Sequence, residues 1–101
     1  MILSDLEGFI WFDGQIIEWK KAKVHVLTHT LHYGLGVFEG VRAYSTPKGT
    51  SIFRLNEHTE RLFKSAETVG LNIPYSAEEL KAAHAEAVSY THLTLPTICS
   101  V

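Results

Sequence analysis

The sequence predicts an α+β domain in which antiparallel β-hairpins come first and two helices follow. Three observations carry that expectation. Asp13-Gly14 stands between two runs of aromatic and β-branched residues, and Pro47-Lys48-Gly49 stands between two more. Behind Asn56 the apolar period changes from two to about 3.6 residues, the repeat of a helix packed on one face.

The elements follow in order. Phe9-Ile10-Trp11-Phe12 has the composition of a strand, and Gln15-Ile16-Ile17-Glu18-Trp19 is its return. Asp-Gly suits a type I′ turn, whose two central residues both need positive φ. Val24-His25-Val26-Leu27 alternates and reads as a third strand. Gly34, Gly36 and Gly40 break any long regular element after it. Val41-Arg42-Ala43-Tyr44 resumes strand character and Ser51-Ile52-Phe53-Arg54 pairs back with it. The first helix is expected to open at Asn56 as N-cap, to turn Leu62, Phe63, Ala66 and Val69 to one face, and to end at Gly70. Ser76 with Glu79 spells a capping box. The helix behind it carries Leu80, Ala83, Ala87 and Val88 on one side. The strands are expected to form a mainly antiparallel sheet with both helices on one side.

Residues 89–101 differ from what precedes them. The alanine-rich helix meets Ser89-Tyr90-Thr91-His92-Leu93-Thr94-Leu95-Pro96-Thr97, with β-branched residues, a proline and no charge. Residues 1–88 therefore read as the domain, and 89–101 as an atypical tail, either a strand or sequence foreign to the domain.

Composition bounds the function. With 101 residues, 46% hydrophobic and 20% charged, the chain suits one domain with a small core, drawn in part from the apolar segment Val24 to Val41. A net charge of -2 argues against a broad nucleic-acid surface, which needs clustered Lys and Arg. Lys20, Lys21 and Lys23 read as a solvated edge. Cys99 is the one cysteine, so no disulfide framework exists within the chain. The first residues lack a signal-peptide pattern, and no apolar run is long enough to span a bilayer. The expected location is the cytoplasm.

His25, His29 and His32 are four and three residues apart, a spacing that invites a metal. The run opens as a strand and contains no acid, so no metal is expected, and the histidines read as core or interface residues. Gly34 to Gly40 lacks the Lys-Ser/Thr ending of a P-loop and the glycine spacing of a dinucleotide fingerprint. Two readings stay open for it: a tight loop within a β-rich core, or a loop lining a ligand pocket with Tyr33 and Phe38 as walls. Arg61, near the start of the first helix, is a solvated residue or a phosphate clamp, because a planar guanidinium matches phosphate oxygens. Arg42 lies opposite Val41 and Ala43 by strand alternation, and would need an anionic partner if it turned inward. No Gly-x-Ser-x-Gly nucleophile elbow occurs.

The run His29-Thr30-Leu31-His32-Tyr33-Gly34-Leu35-Gly36-Val37-Phe38-Glu39-Gly40-Val41-Arg42-Ala43-Tyr44 resembles the signature of class IV, fold-type IV pyridoxal-phosphate aminotransferases, most of all the branched-chain amino-acid aminotransferases. Ile10 to Gly14, Ala22 to Val26 and Phe53 to His58 with Arg61-Leu62 agree with it, so the likeness runs from about Gly8 to Val88. The resemblance implies the small N-terminal α+β domain of such an enzyme, a pyridoxal 5'-phosphate cofactor, and a homo-oligomer. It implies transamination of leucine, isoleucine and valine with 2-oxoglutarate. Arg61 matches the arginine that binds the cofactor phosphate. Tyr33, Phe38 and Gly40 match residues of the substrate side-chain pocket, and Arg42 a residue near the active site. The family's Schiff-base lysine has no match among Lys20, Lys21, Lys23, Lys48, Lys64 and Lys81, so these 101 residues alone are expected to be inactive. D-amino-acid aminotransferases and aminodeoxychorismate lyases share the fold and the phosphate arginine, and a non-catalytic truncated module is the reading from a different class. The wording around His32-Tyr33-Gly34 and Val37 to Tyr44 favours the branched-chain group.

Overall fold

The computed structural model describes residues 7–94, and side chains as far as Tyr90. Strands β1 (Phe9–Phe12) and β2 (Gln15–Glu18) pair antiparallel, from Phe9 opposite Glu18 to Phe12 opposite Gln15. Asp13 and Gly14 between them have φ of 47° and 97°, the two positive values this turn demands. Trp19 leaves the strand for a 3-10 turn, Trp19–Lys21, while its amide still bonds the Gly8 carbonyl at 2.9 Å. The second hairpin joins β3 (Ala43–Thr46) to β4 (Gly49–Ile52) across Pro47 and Lys48. A further rung, Phe53 amide to Arg42 carbonyl at 2.8 Å, continues the ladder beyond the strands.

Among the described residues the two hairpins remain separate two-stranded sheets and do not merge into one. The third strand expected at Val24–Leu27 is a turn instead. The Leu27 amide bonds His25 Nδ1 and the Thr28 amide bonds the His25 carbonyl, each at 3.0 Å. Local bonds of this kind compete with a sheet ladder for the same backbone donors. A single helical turn follows, α1 (His29–Tyr33), closed by Gly34 in the left-handed region. The Thr30 hydroxyl then donates to the Leu35 carbonyl at 2.6 Å. A Cβ on Gly36 would lie 3.1 Å from that hydroxyl oxygen, so the close approach of loop to helix suits glycine.

Helix α2 (Leu55–Val69) starts ahead of Asn56, and Arg54 rather than Asn56 holds the cap position. The chain leaves β4 through a left-handed Arg54, φ 51°, and its carbonyl at once receives the His58 amide at 3.0 Å. Helix geometry is therefore complete before Asn56 could serve as the flanking residue. At the other end Gly70 and Leu71 donate to Glu67 and Ala66, the paired bonds of a Schellman ending. Ala66 is buried and Leu62 and Phe63 half-buried, but Val69, at the very end, is exposed.

Helix α3 (Ala77–Thr94) opens with the expected reciprocal cap: the Ser76 amide donates to Glu79 Oε1 at 2.9 Å and the Glu79 amide to Ser76 Oγ at 3.1 Å. It continues through Thr94, so residues 89–94 are helical and not a strand. Cys99 and the rest of 95–101 lie outside the described residues. Phe9 and Trp11, two apart and hence on one face of β1, meet Tyr90 and Tyr75, with ring centroids 5.3 and 5.1 Å apart. The Tyr75 hydroxyl donates to Asp13 Oδ1 at 2.9 Å, tying the first turn to the start of α3. That bond is the main cause that raises the Tyr75 pKa above its ordinary 10.0. Helices α2 and α3 pack together, and each contributes one buried alanine, Ala66 and Ala83. The segment Val24 to Val41 does not supply the expected core: Val24, Val26, Leu27, Leu31, Tyr33 and Phe38 are exposed. No helix among the described residues is long and apolar enough to cross a membrane.

Candidate functional site: an arginine clasped by Glu39

The strongest polar cluster joins the loop after α1 to α2. His58 and Arg61, three residues apart, share one face of that helix. Both reach Glu39, the acid between Phe38 and Gly40. Arg61 donates from Nε to Glu39 Oε2 at 2.7 Å and from Nη2 to Oε1 at 2.8 Å. His58 Nδ1 lies 2.7 Å from the same Oε1. The Glu39 side chain is 9% exposed and that of Arg61 67%.

This arrangement determines the charge state of the acid. The Arg61 bonds first, and then the His58 bond, lower the Glu39 pKa from 4.5 to about 2, against the opposing cost of burial. Arg61 is in turn pushed above its ordinary value, chiefly by its bonds to Glu39. An ionised carboxylate can only accept, so the proton of the shared bond belongs to His58 Nδ1.

The clasp also leaves a definite set of donors. A guanidinium has about five N–H groups in a planar fork. Glu39 takes the side edge, Nε with Nη2, and the end edge, Nη1 with the outer Nη2 proton, has no partner among the described residues. That end edge suits the oxygens of a phosphate or a carboxylate. Arg61 therefore fits a phosphate-bearing cofactor.

The other residues singled out by sequence make none of the clasp's side-chain bonds. Tyr33, at the end of α1, is 78% exposed, and its ring meets those of His29 and His32. Phe38 is 88% exposed, so it and Tyr33 do not wall a closed pocket within these residues. A Cβ on Gly40 would meet nothing within 4 Å. Arg42 is exposed, and its described bond is the backbone rung to Phe53. His25, His29 and His32 are all exposed rather than in the core, with His25 outside α1. Among the described residues no cluster of three or more His, Cys, Asp or Glu could hold a metal ion. An open cleft of about 540 Å³ lies elsewhere, between the first hairpin and α3, lined by Trp11, Tyr75, Glu79 and Glu86 among others. Tyr33, Phe38, Gly40, Arg42, Arg61 and the three histidines are not among its lining residues.

Glu39 is the functional candidate that sequence reasoning missed. Its signal was an acid alone in an apolar, glycine-rich run, with His58 and Arg61 at helical spacing 19 and 22 residues later.

Known proteins agree with this architecture. The family described as amino-transferase class IV matches residues 36–95, the stretch holding the Glu39 loop, the second hairpin, α2 and all of α3. The chain belongs to the class IV aminotransferase family. Within it, the chain is similar to the branched-chain-amino-acid aminotransferase of Pseudomonas aeruginosa, 56% identical over 93 residues, covering 92% of this chain and 30% of that protein. Two solved branched-chain aminotransferases share the fold. That of Thermoproteus uzoniensis with norvaline gives a TM-score of 0.79 at 46% identity, over 83% of this chain and 28% of that one. The T.th. enzyme, complexed with N-(5'-phosphopyridoxyl)-L-glutamate, gives 0.79 at 48% identity, over 82% and 28%. The chain thus spans less than a third of the length of the relatives it matches. The expected small α+β domain, hairpins followed by two helices, is borne out.

Proposed function

We propose that the whole protein carrying this segment transaminates the branched-chain L-amino acids leucine, isoleucine and valine with 2-oxoglutarate, using pyridoxal 5'-phosphate. The observation that carries the reading is the Arg61 end edge, open on α2 beside the Phe38–Gly40 loop. Relatives support the substrate class by their branched-chain specificity, and of two solved neighbours one carries norvaline and the other a phosphopyridoxyl-glutamate, in which the cofactor is joined to the amino acid that 2-oxoglutarate becomes on amination.

Within that reading, Arg61 binds the cofactor phosphate. Pyridoxal phosphate, when bound, supplies the electron sink for proton removal at Cα. Tyr33 and Phe38 offer exposed aromatic faces to an apolar side chain, the space around Gly40 is open, and Arg42 joins the loop to the second hairpin. An apolar pocket distinguishes side chains by only about 1–3 kcal/mol per methylene, so it would accept all three branched substrates. Residues 1–88 act as the N-terminal domain of a cytoplasmic homo-oligomer, in which the exposed apolar faces of Tyr33 and Phe38 would be covered. The remainder of the protein carries the lysine.

The test is a substrate panel on the whole protein with 2-oxoglutarate as acceptor. Turnover of L-leucine, L-isoleucine and L-valine is expected, with loss of about a hundredfold or more in kcat/KM for Arg61→Ala. A preference for D-alanine, or release of pyruvate from aminodeoxychorismate, would assign a different class IV activity.

A further inference from the structure

We propose that Glu39 is the positioning residue for Arg61: it occupies the guanidinium's side edge and thereby aims the end edge at the cofactor phosphate. The inference rests on the reading of Arg61 as the phosphate contact. It adds a residue whose own atoms touch neither cofactor nor substrate.

The geometry separates two duties on one side chain. Arginine on a helix surface has several rotatable bonds, and ordering it costs conformational entropy. Two bonds of 2.7 and 2.8 Å to a single carboxylate define both the position and the plane of the guanidinium. They use Nε, the donor nearest the helix, and the inner proton of Nη2. The remaining donors point away from Glu39 along the same plane, where a phosphate can take two of them at once. The carboxylate is itself held, since His58 Nδ1 lies 2.7 Å from Oε1 and Glu39 is nearly buried. His58 and Arg61 come from one helix face and Glu39 from the loop, so the clasp also locks the Phe38–Gly40 loop to the helix that carries the phosphate contact.

A neutral amide in place of Glu39 tests this. Gln keeps the shape of the side chain but offers one acceptor oxygen, and its NH2 would face an arginine N–H, donor to donor. The whole protein is prepared without cofactor as wild type, Glu39→Gln, Glu39→Asp and Arg61→Ala. Dissociation constants are measured for pyridoxal 5'-phosphate and for pyridoxal, which lacks the phosphate. The ratio of the two reports phosphate recognition alone. Arg61→Ala is expected to collapse the ratio. Glu39→Gln is expected to lower it about tenfold, with pyridoxal affinity within about threefold of wild type, and Glu39→Asp, which retains both acceptor oxygens, to fall between.

Equal weakening of both ligands by Glu39→Gln, or a ratio within about threefold of wild type, overturns the proposal while leaving the Arg61 reading intact. An unchanged ratio in Arg61→Ala overturns both. A second measurement needs no variant: the Arg61 Nε–H resonance of the wild-type protein. It is expected to stay in place when pyridoxal 5'-phosphate binds while the Nη resonances shift. Movement of Nε–H to a solvent-like position on binding would mean that Arg61 leaves Glu39 to reach the phosphate, and would overturn the proposal.

Discussion

At the scale of single residues, Glu39 has a consequence in acid. Its pKa falls from 4.5 to about 2 because Arg61, and then His58, bond its ionised form. A carboxylate depressed on folding contributes stability that is fully present above its unfolded value, and that contribution is lost as pH falls through the folded value. The window is therefore pH 4.5 down to about 2. Thermal melting of wild type and Glu39→Gln across that range is expected to show the wild type losing its advantage there, with parallel curves above it. Parallel curves throughout would mean that the carboxylate gains nothing from its partners. None of this was legible in the sequence as chemistry. The letters of the motif were readable, but a partner 22 residues away is visible only once loop and helix are brought together. Arg61 was legible as an alternative, surface residue or clamp, and the clasp favours the second because it leaves an oriented, open edge.

At the scale of elements, legibility followed how local the causes are. The Asp13-Gly14 turn, the Gly70 ending and the Ser76–Glu79 cap each depend on residues within a few positions, and each formed as read. Val24–Leu27 failed because alternation supplies a strand with a face and not with a neighbour; lacking a ladder, its backbone closed onto His25. The start of α2 shifted because the hairpin delivered a left-handed Arg54 there. The cap of α3 gives a direct check. Ser76→Ala removes the acceptor for the Glu79 amide, and is expected to cost about 1 kcal/mol in urea unfolding of the whole protein. Asn at the same position should recover most of that loss, and a loss equal to that of Ala would deny that the cap bond is the cause.

At the scale of the molecule, the distribution of burial inverts the expectation from composition. The sequence holds enough apolar residues for a core, and its apolar segment from Val24 to Val41 reads as part of one. Among the described residues the buried apolar positions are Ala66 and Ala83, on two helices in contact, while Val24, Val26, Leu27, Leu31, Tyr33 and Phe38 of that segment stand exposed. Composition counts how much apolar surface exists, but not which part lies within reach of a second layer, and small residues are the ones that let helix backbones approach. Stability of the 101-residue chain should therefore be sensitive at the alanines and indifferent at the exposed aromatics Tyr33 and Phe38. Ala66→Leu adds volume where none is available and is expected to cost about 1–3 kcal/mol, as overpacking does. Phe38→Ala removes a ring already in water and is expected to change stability by less than about 0.5 kcal/mol. Urea unfolding midpoints of the two variants decide the matter. The reverse order would mean that Phe38 folds back onto the chain in solution, and that this part of the Val24 to Val41 segment belongs to the core after all.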